Sequence, residues 1–322
     1  MRRRTFVGIL ASTATLPLAA RAQQPARISR IGVLALTQSD IDALGKVLRG
    51  RLREAGYVEG QNVVFESRSA DGNAAMLPNV ASELVGSKVD VIVALYTPSV
   101  LAAKRATSEI PVVAAVMADP VGTGLVASLS RPGGNITGLS NMGPETAGKC
   151  VELFRDMMPS IRRVGVLANP ADPFTKSFLE QIQLAALGPG IEIAPIAYAR
   201  SADDLEAAFA VIAGDKPDAM IAQGVYSPQA VADFAIRNRL PAASIVPAFA
   251  QAGGLMSYGA DIPDLLLRSA IYVQKILSGN KPADLPVEQP TKFNLAINLK
   301  TAKAIGLAIP GAFLLRADEV IE

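Results

Sequence analysis

The fold is decided by Asp90-Val-Ile-Val-Ala-Leu-Tyr96-Thr97-Pro98-Ser99, a short apolar run that an Asp introduces and that passes straight into a helix start. The run has no polar face, as expected of a strand buried on both sides of a parallel sheet. Thr97 has the character of an N-cap residue, and Pro98 follows at the first helical position, where its missing N–H costs nothing. A second copy, Asp218-Ala-Met-Ile-Ala-Gln223 followed by Tyr226-Ser227-Pro228-Gln229, lies in the other half of the chain. Each copy offers a helix N-terminus with free N–H groups beside a Tyr, a setting suited to a small anionic or aromatic ligand.

Outward from these copies, the chain alternates strand and helix patterns. Residues 31–36, 62–67, 89–95 and 111–117 read as strands, and residues 40–56, 74–86 and 98–107 as helices. Beyond Gly143 the order restarts. Arg30-Ile-Gly-Val-Leu-Ala corresponds to Arg163-Val-Gly-Val-Leu-Ala, with Gly32 and Gly165 133 residues apart, Asp90 and Asp218 128 apart, and Pro111 and Pro241 130 apart. Three landmarks at nearly one offset predict two α/β lobes of the same Rossmann-like topology, each with a parallel sheet. A helix over 265–277, a strand over 293–297 and a short helix over 300–305 follow. Gly- and Pro-marked breaks near 142–144, 258–260 and 288–292 predict three crossings between the lobes and a hinge. The expected division is residues 28–142 plus 260–289 for the first lobe, and 144–258 plus 291–322 for the second.

The start of the chain reads as an export signal. Arg2, Arg3 and Arg4 precede an apolar run over 6–20, and Ala20-Arg21-Ala22 is a cleavage pattern, which makes residues 1–22 a signal peptide and the destination periplasmic. Arg3-Arg4-Thr5-Phe6-Val7 also resembles a twin-arginine signal. Loss of its four Arg and no acid takes the formal charge from +2 to −2. The remainder has no basic, aromatic cluster, and no nucleic-acid partner is expected.

The chain holds no His and a single cysteine, Cys150. A Ser-His triad, a His-ligated metal and a two-cysteine racemase mechanism are excluded, and no metal or cofactor is expected. Cys150 reads as a small core residue. Asp119, Glu145, Asp172 and Asp261 could supply a carboxylate pair, but their spacing brings no two together. Gly122-Thr-Gly124-Leu-Val-Ala127 fits a dinucleotide fingerprint in letters only, because it follows the fourth strand and lacks the acidic strand end downstream.

Ligands of open parallel sheets bind outside the carboxyl ends of the strands. That rule selects Thr37, Gln38, Ser39, Tyr96, Thr97, Pro98, Ser99 and Asp119 in the first lobe. In the second it selects Asn169, Gln223, Tyr226, Ser227, Phe249 and Tyr258. Capping alone explains Thr97 and Ser227 equally well, and Asp119 can either meet a ligand ammonium or close its turn. The rings of Tyr96, Tyr226 and Tyr258 are expected to offer apolar faces to the ligand, with the two Tyr-containing copies as facing jaws.

Five segments carry a family resemblance: Gly56-Tyr-Val-Glu-Gly-Gln-Asn62, Asp119-Pro-Val-Gly-Thr-Gly-Leu-Val126, Arg131-Pro-Gly-Gly-Asn-Ile-Thr-Gly138, Gly253-Gly-Leu-Met-Ser-Tyr-Gly259 and Leu285-Pro-Val-Glu-Gln-Pro-Thr-Lys-Phe293. In order along the chain, they resemble ABC-transporter substrate-binding proteins of the tryptophan/tyrosine type. The resemblance implies a type I periplasmic-binding fold with a three-crossover hinge, closing on a small ligand such as an amino acid or aromatic acid. It further implies an inner-membrane ABC permease as partner, a monomer, and no catalysis. Two other classes stay open, an exported α/β enzyme of lyase or racemase type and a ligand-sensing domain of the same fold.

Overall fold

Buried strands organise both halves of the protein. The computed structural model describes residues 28–322, and the signal segment with its twin-arginine pattern lies outside the described residues. In the first half, β1 (Ser29–Ala35), α1 (Gln38–Glu54), β2 (Val63–Ser69), α2 (Leu77–Gly86), β3 (Val91–Leu95), α3 (Tyr96–Ala106), β4 (Val112–Met117) and β5 (Ile136–Ser140) follow one another. The second half contains α4 (Gly143–Met157), β6 (Arg163–Ala168), α5 (Thr175–Leu187), β7 (Glu192–Tyr198), α6 (Leu205–Asp215), β8 (Ala219–Ala222), α7 (Pro228–Arg237) and β9 (Ala242–Ser244). The chain ends with α8 (Ala248–Gln251), β10 (Met256–Ala260), α9 (Ile262–Leu277), β11 (Phe293–Asn298), α10 (Leu299–Ile305), α11 (Gly311–Leu314) and β12 (Glu319–Ile321).

The strands form two sheets, ordered β2-β1-β3-β4-β5 and β12-β11-β10-β9-β8-β6-β7. All pairings are parallel except β10 with β11. The run β7-β6-β8-β9-β10 repeats the first sheet's order, as the sequence repeat predicts. The repeated aspartates also share one task. Asp90 Oδ2 accepts from the Arg30 amide at 2.7 Å, and Asp218 Oδ2 accepts from the Arg162 and Arg163 amides at 2.8 and 2.9 Å. Each carboxylate thus satisfies backbone donors at the start of the first strand of its half, β1 or β6.

Every residue of β3 is buried, because helices cover both faces of each sheet. On the first sheet, Leu44, Leu48 and Leu52 of α1 pack with Leu265, Tyr272 and Val273 of α9, while Leu84 of α2 and Val100 of α3 fill the other side. On the second, Phe154 of α4 packs with Phe178 and Ile182 of α5. Opposite them, Phe209 of α6 stacks on Phe234 of α7 with centroids 4.1 Å apart. Each such buried ring contributes about 1.5–3 kcal/mol over an exposed one.

The chain passes between the sheets at three places. After β5 it enters α4 through Met142, which has a positive φ of 53°. After β10, a strand of the second sheet, α9 lies on the first sheet, with Leu265, Leu266 and Tyr272 in its core. The return before β11 is held at one end by Ser140 N donating to Glu288 O at 2.9 Å, and at the other by Asp261 N donating to Lys292 O at 3.1 Å. Arg268 of α9 also pairs with Glu288. Backbone crowding makes Gly259 obligatory at the second passage, since a Cβ there would lie 2.1 Å from Ile245 O.

Four elements depart from the pattern-based expectation. β5 and β12 carry no strand signal long enough to stand out. A 3-10 turn over Ala74–Met76 precedes α2, which therefore starts at Leu77 rather than Ala74. α3 starts at Tyr96 rather than Pro98, because Tyr96 turns the chain directly off β3 with a left-handed φ of 65°.

Candidate functional site

The carboxyl ends of the two sheets meet at the first passage. Ala118, just past β4, packs in the second lobe's core near Ile245, just past β9. A Cβ placed on Gly143 would lie 3.2 Å from Ala118 Cβ and 3.5 Å from Ile245 Cδ1. The loops at these strand ends therefore surround one region, where the binding rule for open sheets locates a ligand.

In the first lobe, Thr37 caps α1. Its Oγ1 accepts from the Asp40 amide at 3.2 Å and donates to Asp40 Oδ2 at 2.7 Å, with Ser39 Oγ 2.9 Å away. Gln38 is exposed and donates to Asp42 at 2.9 Å. Tyr96 reaches this corner. Burial pushes its phenol up to about 12, and the nearby Asp40 carboxylate adds to the shift, while 37% of the residue stays exposed. A left-handed aromatic residue costs on the order of 1–3 kcal/mol and tends to mark a ligand-contacting turn. Thr97 is not a cap, contrary to the sequence reading. The left-handed Tyr96 makes Leu95 the residue before the helix and turns Thr97 inward, where its Oγ1 accepts from the Ala118 amide at 2.9 Å. Pro98 is half-buried at the third helical position rather than the first. Asp119 closes its own turn by accepting from the Gly122 amide at 2.8 Å.

In the second lobe, Asn169 is spent on the loop after β6. Its Oδ1 accepts from Ala171 N at 2.9 Å, and its backbone N–H donates to Gln223 Oε1 at 2.8 Å. Gln223 Oε1 also accepts from Thr175 Oγ1 at 3.1 Å. The Asn169 backbone N–H can only donate, which fixes which end of the Gln223 amide is the oxygen, while the single Thr175 hydroxyl proton is shared with the Asn169 carbonyl. The Gln223 Nε2 donor is left without a partner in a residue only 1% exposed. A buried unpaired donor costs about 1–3 kcal/mol, so such a group is kept where something else will accept from it.

Four buried side-chain atoms have no hydrogen-bond partner among the described residues, Arg30 Nε, Arg163 Nε, Ser99 Oγ and Gln223 Nε2, although Arg163 Nε lies 3.3 Å from Glu192 Oε2 in an ion pair. The two Arg atoms lie at the amino ends of β1 and β6, and other nitrogens of the same side chains pair with Glu66 and Asp215 at 2.7 and 2.8 Å. Ser99 and Gln223 lie at the opposite, carboxyl ends. Gln223 lines a small cavity with Gly224, Tyr226, Ser244, Val246 and Phe249.

The aromatic expectations divide. Tyr226 does not face Tyr96 as a matching jaw. It is 8% exposed in the core between α6 and α7, and its hydroxyl donates to Ala199 O at 2.8 Å. Burial pushes its phenol well above the ordinary range. It contributes a wall of the cavity, as does the buried Phe249. Ser227 caps α7, accepting from Ala230 N at 3.4 Å. Tyr258 lies within β10 on the α4 side, stacked on Phe293 at 5.9 Å. Strand alternation turns its ring onto the α4 face of the sheet.

The sequence reading weighed Asp172 only as one of four acids whose spacing brings no two together. It is 8% exposed, and burial pushes its carboxyl up to about 6, partly offset by the Phe174 amide donating to Oδ1 at 3.3 Å. The signal was in the repeat, because the offset of 133 residues that joins Gly32 to Gly165 also carries Ser39 to Asp172.

Among the described residues no cluster of His, Cys, Asp or Glu could hold a metal ion. Cys150 is fully buried in α4, with its thiol pushed up to about 12 by burial. The family profile described as "ABC transporter substrate binding protein" matches residues 31–321.

The chain belongs to the ABC transporter substrate-binding proteins. A tyrosine-binding protein from Clostridioides difficile is 27% identical over 282 residues, covering 86% of this chain and 81% of that protein. Among solved structures, a conserved domain protein from Vibrio cholerae is 31% identical with a TM-score of 0.85, covering 91% of this chain and all of the other. A Streptococcus pneumoniae ABC domain in complex with L-Trp is 28% identical, with a TM-score of 0.84 over 91% of this chain and 100% of that one. The two-lobed architecture of these substrate-binding proteins is the type I periplasmic-binding fold.

Proposed function

We propose that this protein captures a small carboxylate-bearing ligand, an amino acid or aromatic acid, between its two lobes by hinge closure, and presents it to an inner-membrane ABC permease. The observation that carries the reading is the unpaired Gln223 amide nitrogen at a strand's carboxyl end. A donor held in place by its own oxygen and lacking an acceptor suits a ligand carboxylate. The first lobe would supply the α3 N-terminus with the unpaired Ser99 hydroxyl, the O–H of Thr97, and the exposed ring of Tyr96. The second lobe would add Gln223 and the cavity wall.

In this reading residues 28–142 plus 260–289 move as one lobe, residues 144–258 plus 291–322 as the other, and the three passages bend. The protein acts as a periplasmic monomer without covalent chemistry. The known ligands of its relatives, tyrosine and L-Trp, favour an aromatic side chain. Calorimetric titration of the mature protein with L-tyrosine, L-tryptophan and benzoate tests the proposal. One-to-one binding of at least one of them, with the ligand recovered unchanged after prolonged incubation, is expected. Conversion of the ligand would assign an enzyme instead.

A further inference from the structure

The second lobe holds two buried polar groups of opposite demand at one loop, Asp172 within it and Gln223 bonded to it from the end of β8. Gln223 Oε1 binds both the Asn169 amide and the Thr175 hydroxyl, at 2.8 and 3.1 Å, so it holds the two ends of the loop over residues 169–175. Asp172 lies inside that loop, its amide donating to Asn169 O at 3.1 Å and its carbonyl accepting from Thr175 N at 3.1 Å. The loop is thereby pinned from both sides, with Asp172 in the segment between Asn169 and Thr175, the two residues that bond Gln223. The same carboxylate acts electrostatically on the phenol of Tyr226, which lines the cavity with Gln223.

Asp172 is 8% exposed, and its side chain receives one backbone N–H among the described residues, from Phe174. Among the described residues no Lys or Arg forms an ion pair with it, and burial is the main influence on its carboxyl. A buried carboxylate in this condition is costly unless a cation joins it. Gln223, 1% exposed, has the complementary need for an acceptor on Nε2. One small molecule satisfies both requirements if it carries an ammonium and a carboxylate on the same carbon.

We propose that Asp172 and Gln223 form a head-group subsite for an α-amino acid, Asp172 receiving the ammonium and the Gln223 amide nitrogen donating to the carboxylate. The assignment rests on the reading of the protein as a carboxylate-capturing binding protein, and narrows it to ligands with a free α-amino group. Acids such as benzoate satisfy Gln223 alone and leave Asp172 unpaired.

The test compares L-tyrosine with 3-(4-hydroxyphenyl)propionate, and L-tryptophan with indole-3-propionate, by calorimetry at pH 7.5. Wild-type protein is expected to bind at least one amino acid about tenfold or more tighter than its des-amino partner, the scale of a lost charge-assisted contact. Asp172→Asn keeps the acceptor for Phe174 N. It is expected to lower amino-acid affinity about tenfold while leaving the des-amino acid within about threefold, so that the preference collapses. Gln223→Glu keeps the oxygen that holds the loop but replaces the donor with a negative charge, and is expected to weaken both ligand types. Melting curves of each variant establish that it folds. Retention of the amino-acid preference in Asp172→Asn would overturn the role of Asp172, and unchanged affinity in Gln223→Glu that of Gln223. Wild-type binding of benzoate or the propionates in preference to the amino acids would remove the head-group assignment and leave the binding-protein reading standing. Binding of none of these compounds would remove both.

Discussion

A residue arranged for a ligand ought to destabilise the empty protein, and Asp172→Asn measures this. Burial raises the Asp172 carboxyl from 3.8 to about 6. The shift of about two units corresponds to ~3 kcal/mol between its protonated and ionised forms. The sign follows from linkage. Below the unfolded value, near 3.8, both states carry the proton and Asp172 costs nothing. As pH rises through the folded value of about 6, the folded protein must hold an unpaired buried charge, and the relative stability conferred by the proton is lost. Asparagine is uncharged at every pH and retains the acceptor for the Phe174 amide. Ligand-free Asp172→Asn is therefore expected to exceed the wild type in unfolding free energy by up to about 3 kcal/mol at pH 8 and by about half of that at pH 5. For a protein of this size, that amounts to several degrees in Tm at pH 8. Urea denaturation without ligand at pH 5, 6, 7 and 8 is the assay. A variant no more stable than wild type at pH 8, or a difference independent of pH, would refute the argument that Asp172 is an uncompensated buried charge.

Further outcomes are expected elsewhere. Thr97→Val removes the acceptor of the buried Ala118 amide and the hydroxyl offered to the ligand. It should cost about 1–3 kcal/mol in chemical denaturation and weaken ligand binding about tenfold or more by calorimetry. Cys150 is fully buried, with its thiol pushed up to about 12, so native protein should react with a thiol reagent only as fast as it unfolds. Labelling within seconds in buffer would contradict that burial. Gly259→Ala should shift the thermal transition down, because the added Cβ would meet Ile245 O at 2.1 Å unless β9 and β10 separate.

The sequence made the architecture legible because the architecture depends on backbone needs that a few residue types meet. Asp90 and Asp218 each satisfy amide donors at the start of β1 or β6, the equivalent first strands of the two halves, so their spacing marks equivalent positions in two lobes. Apolar runs such as Val91–Leu95 are buried on both faces and read directly as strands. The pairing of Tyr96 with Tyr226 failed for a reason also present in the letters. Asp90 precedes Tyr96 by six residues and Asp218 precedes Tyr226 by eight, the additional pair being Gly224 and Val225. Those two residues carry Tyr226 past the strand end and into the core between α6 and α7, whereas Tyr96 turns off β3 at once and stays partly exposed. Local composition is the same in the two copies, but side-chain direction is set by backbone conformation and by what packs nearby.

Asp172 was hidden by a different limit. An acid in a loop is ordinarily solvated, and nothing in Asn169-Pro170-Ala171-Asp172 reports that Gln223, more than fifty residues further on, folds the loop inward. Gln223 itself was expected in the site. Only the hydrogen bonds to its oxygen identify which end of its amide is free.

The central claim, capture by closure of two lobes, is tested most directly by small-angle X-ray scattering of the mature protein with and without a ligand shown by calorimetry to saturate it. The account predicts a smaller radius of gyration and a shorter maximum dimension in the saturated sample. Saturated binding with superimposable scattering curves would contradict closure.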